Sequence, residues 1–144
     1  MSDTEVNRRA LVTGATRGIG KAIAHELATA GHKVIGTATS DAGAATIAEN
    51  LRAAGGTGIR LDVSDVEAVK ESVAAIVSEH GAPTILVNNA GIAHPAPFLE
   101  TTLDQFQSVI DVNLTGTFQA IQRAAKAMVS KRIEGAIVNM SSIN

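Results

Sequence analysis

The chain has 144 residues with a formal net charge of −2, and 45% of it is hydrophobic, enough for one domain with a packed core. The balanced charge and the lack of any long basic run exclude the polyanion surface of a nucleic-acid binder, and an aromatic content of 2% leaves no platforms for base stacking. Without cysteine there is neither a disulfide nor a thiolate site, and His25, His32, His80 and His94 lack ligand spacing, so no metal is expected.

Short β-branched runs alternate with longer helical patterns, the signature of a parallel sheet covered on both faces by crossover helices. The first strand is read at residues 9–13, and behind it stands Thr13-Gly14-Ala15-Thr16-Arg17-Gly18-Ile19-Gly20. Glycines at 14, 18 and 20 leave no Cβ in the way of a pyrophosphate, and the N–H groups and dipole of the helix that follows face the anion. Ile19, Ile23 and Leu27 predict the buried stripe of that helix, which Gly31 ends. Residues 33–37 form the second strand and 42–54 the next helix, closed by Gly55-Gly56.

Residues 58–63 alternate polar and apolar, as a strand near the sheet edge should. Ser64 and Glu67 predict a capping box, and Val66, Val69, Val73 and Ile76 the buried stripe of the helix it opens. The fourth strand is read at 84–87, interrupted at its carboxyl end by Asn88-Asn89-Ala90-Gly91. After a loop with Pro95 and Pro97, Thr102 and Gln105 give a second capping signal, ahead of Leu103, Phe106 and Ile110. Leu114, Phe118, Ile121, Ala125 and Met128 mark a longer helix, and Gly135 releases it into the fifth strand at 136–140. Residues 1–9 are polar and charged, unlike a secretory leader, and no apolar run approaches the ~20 residues of a membrane span, so a cytoplasmic chain is expected.

Right-handed crossovers and a reversal after the third strand predict the order 3-2-1-4-5, a doubly wound α/β sheet of Rossmann type, with residues 1–144 as one domain. Ligands in such sheets bind beyond the carboxyl ends of the strands, at the switch point between the first and fourth. The polar clusters at 13–20, 37–41, 62–63, 88–91 and 139–142 all fall on that rim.

The ordered set Thr13-Gly14 with Gly18 and Gly20, Leu61-Asp62-Val63, Asn88-Asn89-Ala90-Gly91, Val112-Asn113-Leu114 and Met140-Ser141-Ser142 resembles the short-chain dehydrogenase/reductase family over nearly the whole chain. Within that family, Val34-Ile35-Gly36-Thr37-Ala38-Thr39-Ser40 with Ala15-Thr16-Arg17 is similar to bacterial 3-oxoacyl-acyl-carrier-protein reductases. The resemblance implies an NADPH-dependent reduction of a carbonyl, of 3-oxoacyl thioester type, on a small-molecule or carrier-protein-bound substrate. It gives Asp62 a hydrogen bond from the adenine amino group, Val63 backbone contacts, and Asn89, Ala90 and Gly91 a place beneath the nicotinamide ribose. Ser142, with Ser141 beside it, matches the serine that polarises the carbonyl, and Asn113 the asparagine that holds a water on the proton path. His94 and Phe98, in the loop after Gly91, are read either as facing substrate or as plain loop surface.

Sites of this kind that take NAD place an acid at the end of the second strand, to hold the ribose 2′-hydroxyl. Here that end is Thr37-Ala38-Thr39-Ser40, with no acid before Asp41, and Arg17 can pair with a phosphate bidentately. NADP(H) is therefore the expected cofactor, with Arg17 and Thr39 or Ser40 around the extra phosphate and Gly14, Thr16, Gly18, Ile19 and Gly20 around the diphosphate. The family's proton donor is a tyrosine in a Tyr-x-x-x-Lys pair, which falls past Asn144, and the chain contains no tyrosine. The expectation is an N-terminal portion, truncated after the fifth strand and inactive alone, of a parent that forms a homotetramer through the helix at 113–128. Two alternatives are a non-catalytic nucleotide-binding module and a short-chain alcohol or sugar dehydrogenase of the same family.

Overall fold

The computed structural model describes residues 8–143. Strand β1 (Arg9–Val12) takes the middle of the sheet because both its faces are apolar: Ala10 and Val12 turn to one side, Leu11 to the other, and all three are sealed from solvent. β2 (Lys33–Ala38), β3 (Thr57–Arg60), β4 (Ile85–Asn88) and β5 (Ala136–Asn139) join it in the order β3-β2-β1-β4-β5, every pair parallel. This is the predicted order, and β3 lies at an edge as its alternating pattern requires. The fourth strand starts one residue later than the sequence suggests, after Thr84 has already bonded Arg9 through backbone and hydroxyl.

Helices α1 (Gly18–Thr29) and α2 (Asp41–Leu51) cover the Ala10/Val12 face, where Ala24, Ile47 and Leu51 close the core. On the opposite face α3 (Val66–His80) and α5 (Thr117–Ser130) supply Ile76, Ala120, Ala124 and Met128 around Leu11, Ile35 and Leu86. A third cluster of Leu61, Val63, Val69 and Val73 lies where the chain leaves β3. No aromatic side chain enters any of these clusters; Phe98, Phe106 and Phe118 are 90%, 56% and 56% exposed.

The helical stripes are therefore narrower than the sequence periodicity implies. Ile19 is 63% exposed, and α1 instead buries Gly20 and Ala24, flanked by Ile23 and Leu27. In α3, Val69, Val73 and Ile76 are buried as expected while Val66 stays largely outside. In α5 the sealed positions are Ala120, Ala124 and Met128, one turn-face away from Leu114 and Phe118, which remain exposed. The reason is close approach: small residues let a helix lie nearer the sheet, and the bulky neighbours are rotated off the contact.

Two local predictions meet different outcomes. Thr102 and Gln105 form the capping box at the start of α4 (Leu103–Ile110), each satisfying the other's backbone. Ser64 and Glu67 do not. The cap of α3 is Asp65, whose carboxylate accepts the Ala68 N–H at 3.0 Å, while Asp62 takes both the Ser64 N–H (2.9 Å) and its hydroxyl (2.7 Å), and Glu67 pairs with Lys70. The helix begins at Val66, which puts Asp65 rather than Ser64 in the cap position, and the serine is held instead in the local turn closed by Asp62. Beyond α4 the helix does not stop; it runs through a π-helical segment, Asp111–Gly116, into α5.

Among the described residues, no helix is long and apolar enough to cross a membrane. A close helix–sheet contact lies at Gly58, where a Cβ would overlap the Ala44 carbonyl oxygen of α2. Replacement by alanine must push α2 off β3, so Gly58→Ala is expected to cost roughly 1–3 kcal/mol. The urea unfolding midpoint measures this, and an unshifted midpoint contradicts the contact.

Candidate functional site

Where β1 and β4 end side by side, the chain leaves them in different directions, β1 into the glycine loop and β4 into the loop after Asn88. The gap is cross-braced. Thr13, 2% exposed, uses its hydroxyl oxygen to accept the Asn89 and Ala90 N–H groups at 3.1 and 3.0 Å. The Asn89 side-chain amide returns the bonds, donating from Nδ2 to the carbonyls of Thr13 (3.2 Å) and Gly14 (3.0 Å). On the other side Thr37, equally buried, accepts the Gly14 N–H on its hydroxyl (3.2 Å) and the Ala15 N–H on its carbonyl (2.9 Å).

Glycine is obligatory at two points of this brace. Gly14 has φ +66°, and a Cβ there would stand 3.0 Å from the Ala90 Cα. At Gly20, in the first turn of α1, a Cβ would overlap both the Gly14 carbonyl oxygen and the Asn89 Nδ2. Helix α1 can thus press its start directly onto the braced strand ends.

The result is an open cleft of about 750 Å³ over the carboxyl ends of the strands. Its walls bring together most of the residues singled out from the sequence: Gly14, Thr16, Arg17, Gly18, Ile19 and Gly20 from the glycine loop, Thr39 after β2, Asp62 and Val63 after β3, and Asn89, Ala90 and Gly91 after β4. Exposed Ile19 belongs to this wall, which explains why it left the core. Ser108, Asp111 and Val112 are also on the wall, and the sequence reading did not place them there because helical periodicity does not tell which residues of α4 and of the segment after it overhang a neighbouring loop.

Helix ends decide what the cleft can receive. α2, α3 and α4 each have a side-chain cap, from Ser40, Asp65 and Thr102. α1 has none: its cap residue is Arg17, in extended backbone, and Gly18, Ile19 and Gly20 of its first turn line the cleft. Uncapped first-turn N–H groups with the positive end of the helix dipole form an anion site. A dinucleotide's diphosphate therefore fits here.

Three predicted site residues lie outside the cleft wall. Ser40 caps α2, accepting the Gly43 N–H at 3.1 Å. Asn113 sits within the π-helical segment and clamps the backbone of Ile92 from both sides, its Oδ1 accepting the Ile92 N–H (2.9 Å) and its Nδ2 donating to the Ile92 carbonyl (2.8 Å). This fixes the loop beyond Gly91. Ser142 follows the end of β5, whose Asn139 accepts a hydrogen bond from buried Asn88 at 2.8 Å. Of the loop residues read as facing substrate or as plain surface, His94 contacts the Ser108 hydroxyl at 3.1 Å and Phe98 projects into solvent. Among the described residues no group of three or more His, Asp or Glu side chains could hold a metal ion.

The family model for short chain dehydrogenases matches residues 8–144. The chain is 44% identical over 134 residues to the 3-oxoacyl-[acyl-carrier-protein] reductase FabG of Vibrio harveyi, covering 93% of this chain and 54% of that protein. It is 42% identical to the enzyme of that name from Escherichia coli K12, with the same coverage, and 39% identical over 142 residues to that of Staphylococcus aureus Mu50. A solved short-chain type dehydrogenase/reductase from Mycobacterium marinum superposes with a TM-score of 0.88 at 36% identity, over 94% of this chain and 54% of the other. The chain spans about half the length of the curated relatives it matches.

The brace yields a direct test. Thr13→Val keeps the shape but leaves two inward N–H groups without an acceptor, so a loss of roughly 2–4 kcal/mol in unfolding free energy is expected. Thr13→Ser, which keeps the oxygen, should recover most of it. Equal stability of the valine and serine variants would show that the hydroxyl does not hold the strand ends together.

Proposed function

The chain belongs to the short-chain dehydrogenase family, and from that premise we propose that its cleft binds NADP(H) and serves the reduction of a carbonyl, of 3-oxoacyl thioester type, to an alcohol. The observation that carries the binding step is the start of α1, left without a side-chain cap and facing a roomy cleft, together with a second strand that ends without an acid. Arg17 and Thr39, both on the cleft wall, would pair with a 2′-phosphate; a carboxylate in the place of Thr39 would repel it. Asp62 is already oriented by Ser64 through Oδ1, which leaves Oδ2 for the adenine amino group. Asn89, spent on the brace, would act by holding Ala90 and Gly91 as a floor beneath the ribose.

When bound, the nicotinamide supplies or accepts hydride. Ser142 would polarise the substrate carbonyl, and Asn113, through its clamp on Ile92, would hold the loop that borders the reacting end. The proton donor is a different matter: the chain has no tyrosine, and the ionisable groups on the cleft wall are Arg17, Asp62 and Asp111. For these 144 residues the reading is accordingly nucleotide binding without turnover, and the chemistry belongs to a protein that adds the missing group. Exposed Phe106, Leu114 and Phe118 on the α4–α5 side are read as an association face of that larger assembly, and the cysteine-free composition suits the cytoplasm.

Calorimetric titration with both nucleotides tests the proposal. NADPH is expected to bind more tightly than NADH, and Arg17→Gln to weaken NADPH roughly tenfold, or ~1.4 kcal/mol, while leaving NADH unchanged. Equal or better binding of NADH would refute the cofactor assignment. In a companion assay, no oxidation of NADPH by acetoacetyl thioester is expected from the chain itself, and turnover would show that some other group donates the proton.

A further inference from the structure

At the outer end of the cleft the cofactor reading leaves one ion pair without a task. Arg60 is the last residue of β3 and lies in register with Ala38 of β2, which with Thr39 forms that end of the cleft wall. Along β3, Ile59 turns to the α3/α5 face and Gly58 abuts α2, so alternation puts Arg60 on the α2 side. There its Nη1 meets Oδ2 of Asp41, the first residue of α2, at 3.5 Å. Both side chains are mostly exposed, 64% and 84%, so this long pair is screened and readily exchanged.

The position of Asp41 gives the pair meaning. The first turn of α2 is packed against the glycine loop, since a Cβ on Gly43 would stand 3.3 Å from the Thr16 hydroxyl, and Thr16 and Arg17 line the cleft. Asp41 is thus the first carboxylate after β2, close to where a phosphate between Arg17 and Thr39 would sit, and Arg60 is the cation that offsets it. We propose that Arg60 is a second determinant of cofactor choice: its guanidinium leaves Asp41 to pair with the 2′-phosphate of NADP(H) from the β3 side, while Arg17 pairs with it from the glycine loop. A nucleotide without that phosphate leaves Arg60 on Asp41 and gains nothing from it. The inference rests on the reading of the cleft as a nicotinamide-nucleotide site and adds the residue that its discriminating end uses.

The test titrates NADPH and NADH into the unmodified chain, Arg60→Met and Asp41→Asn. Arg60→Met should weaken NADPH about threefold to fivefold, the scale of one exposed charge contact, with NADH unchanged. Asp41→Asn, which removes the competitor, should tighten NADPH by a similar factor, again without moving NADH. Both positions are exposed and outside the core, and the NADH constant doubles as a check that each variant is folded. If the unmodified chain prefers NADPH but Arg60→Met leaves that preference intact, or weakens both nucleotides alike, the role of Arg60 is overturned and the cofactor reading stands. Weaker NADPH binding by Asp41→Asn overturns the competitor role in the same way. If the unmodified chain binds NADH as tightly as NADPH, or binds neither, the cofactor reading itself has failed.

Discussion

The cleft exists because the ends of β1 and β4 are tied to each other at the point where the chain would otherwise carry them apart. Adjacent strands that turn in opposite directions leave backbone groups with no ladder partner, and orphaned buried groups are expensive. Thr13 and Asn89 satisfy them reciprocally, one through a hydroxyl that accepts twice, the other through an amide that donates twice. Gly20 then sets the depth of the site, since any side chain there would strike the same asparagine. The start of α1 is held against the strand ends and its amides face the cavity, so the anion site follows from strand-end bonding rather than from the glycine loop alone.

The same economy runs through the interior. With all three phenylalanines outside and neither tryptophan nor tyrosine in the chain, the layers are joined by aliphatic and very small side chains. Distance replaces bulk: α2 rests on Gly58, and the π-helical segment rests on Val63 through Gly116, where a Cβ would stand only 2.8 Å from the Val63 carbonyl oxygen. That last contact matters for the site, because Val63 and Asn113 belong to the two segments it joins. Packing of this kind tolerates little added volume.

Strand positions and their order could be read from the sequence because a parallel strand covered on both faces must be apolar along its middle, as residues 10–12, 34–36 and 85–87 are. The cleft wall could be read as well, since turn chemistry concentrates at the carboxyl ends of those strands. What sequence could not resolve was rotation and competition. Ile19 and Phe118 fit a helical stripe by spacing, yet Ala24 and Ala124 permit a closer fit to the sheet and take the buried places. Ser64 and Asp65 are both good caps by residue type, and which one serves depends on whether the helix starts at residue 65 or 66, a one-residue difference that spacing does not fix. The π-helical insertion that turns Asn113 towards Ile92 has no signature in hydrophobic periodicity, which is blind to one extra residue per turn.

Burial is unevenly shared across the sheet. The central strand is sealed on both faces, whereas β5 has only its Ile137 partly covered and Val138 is 46% exposed. Local opening follows burial, so amide protons of the outer strand should exchange with deuterium through small fluctuations while those of β1 wait for global unfolding. The hydrogen bond from Asn88 to Asn139 is the side-chain link between that outer strand and the strand that carries the brace, so protection at Asn88 reports how firmly the two are joined.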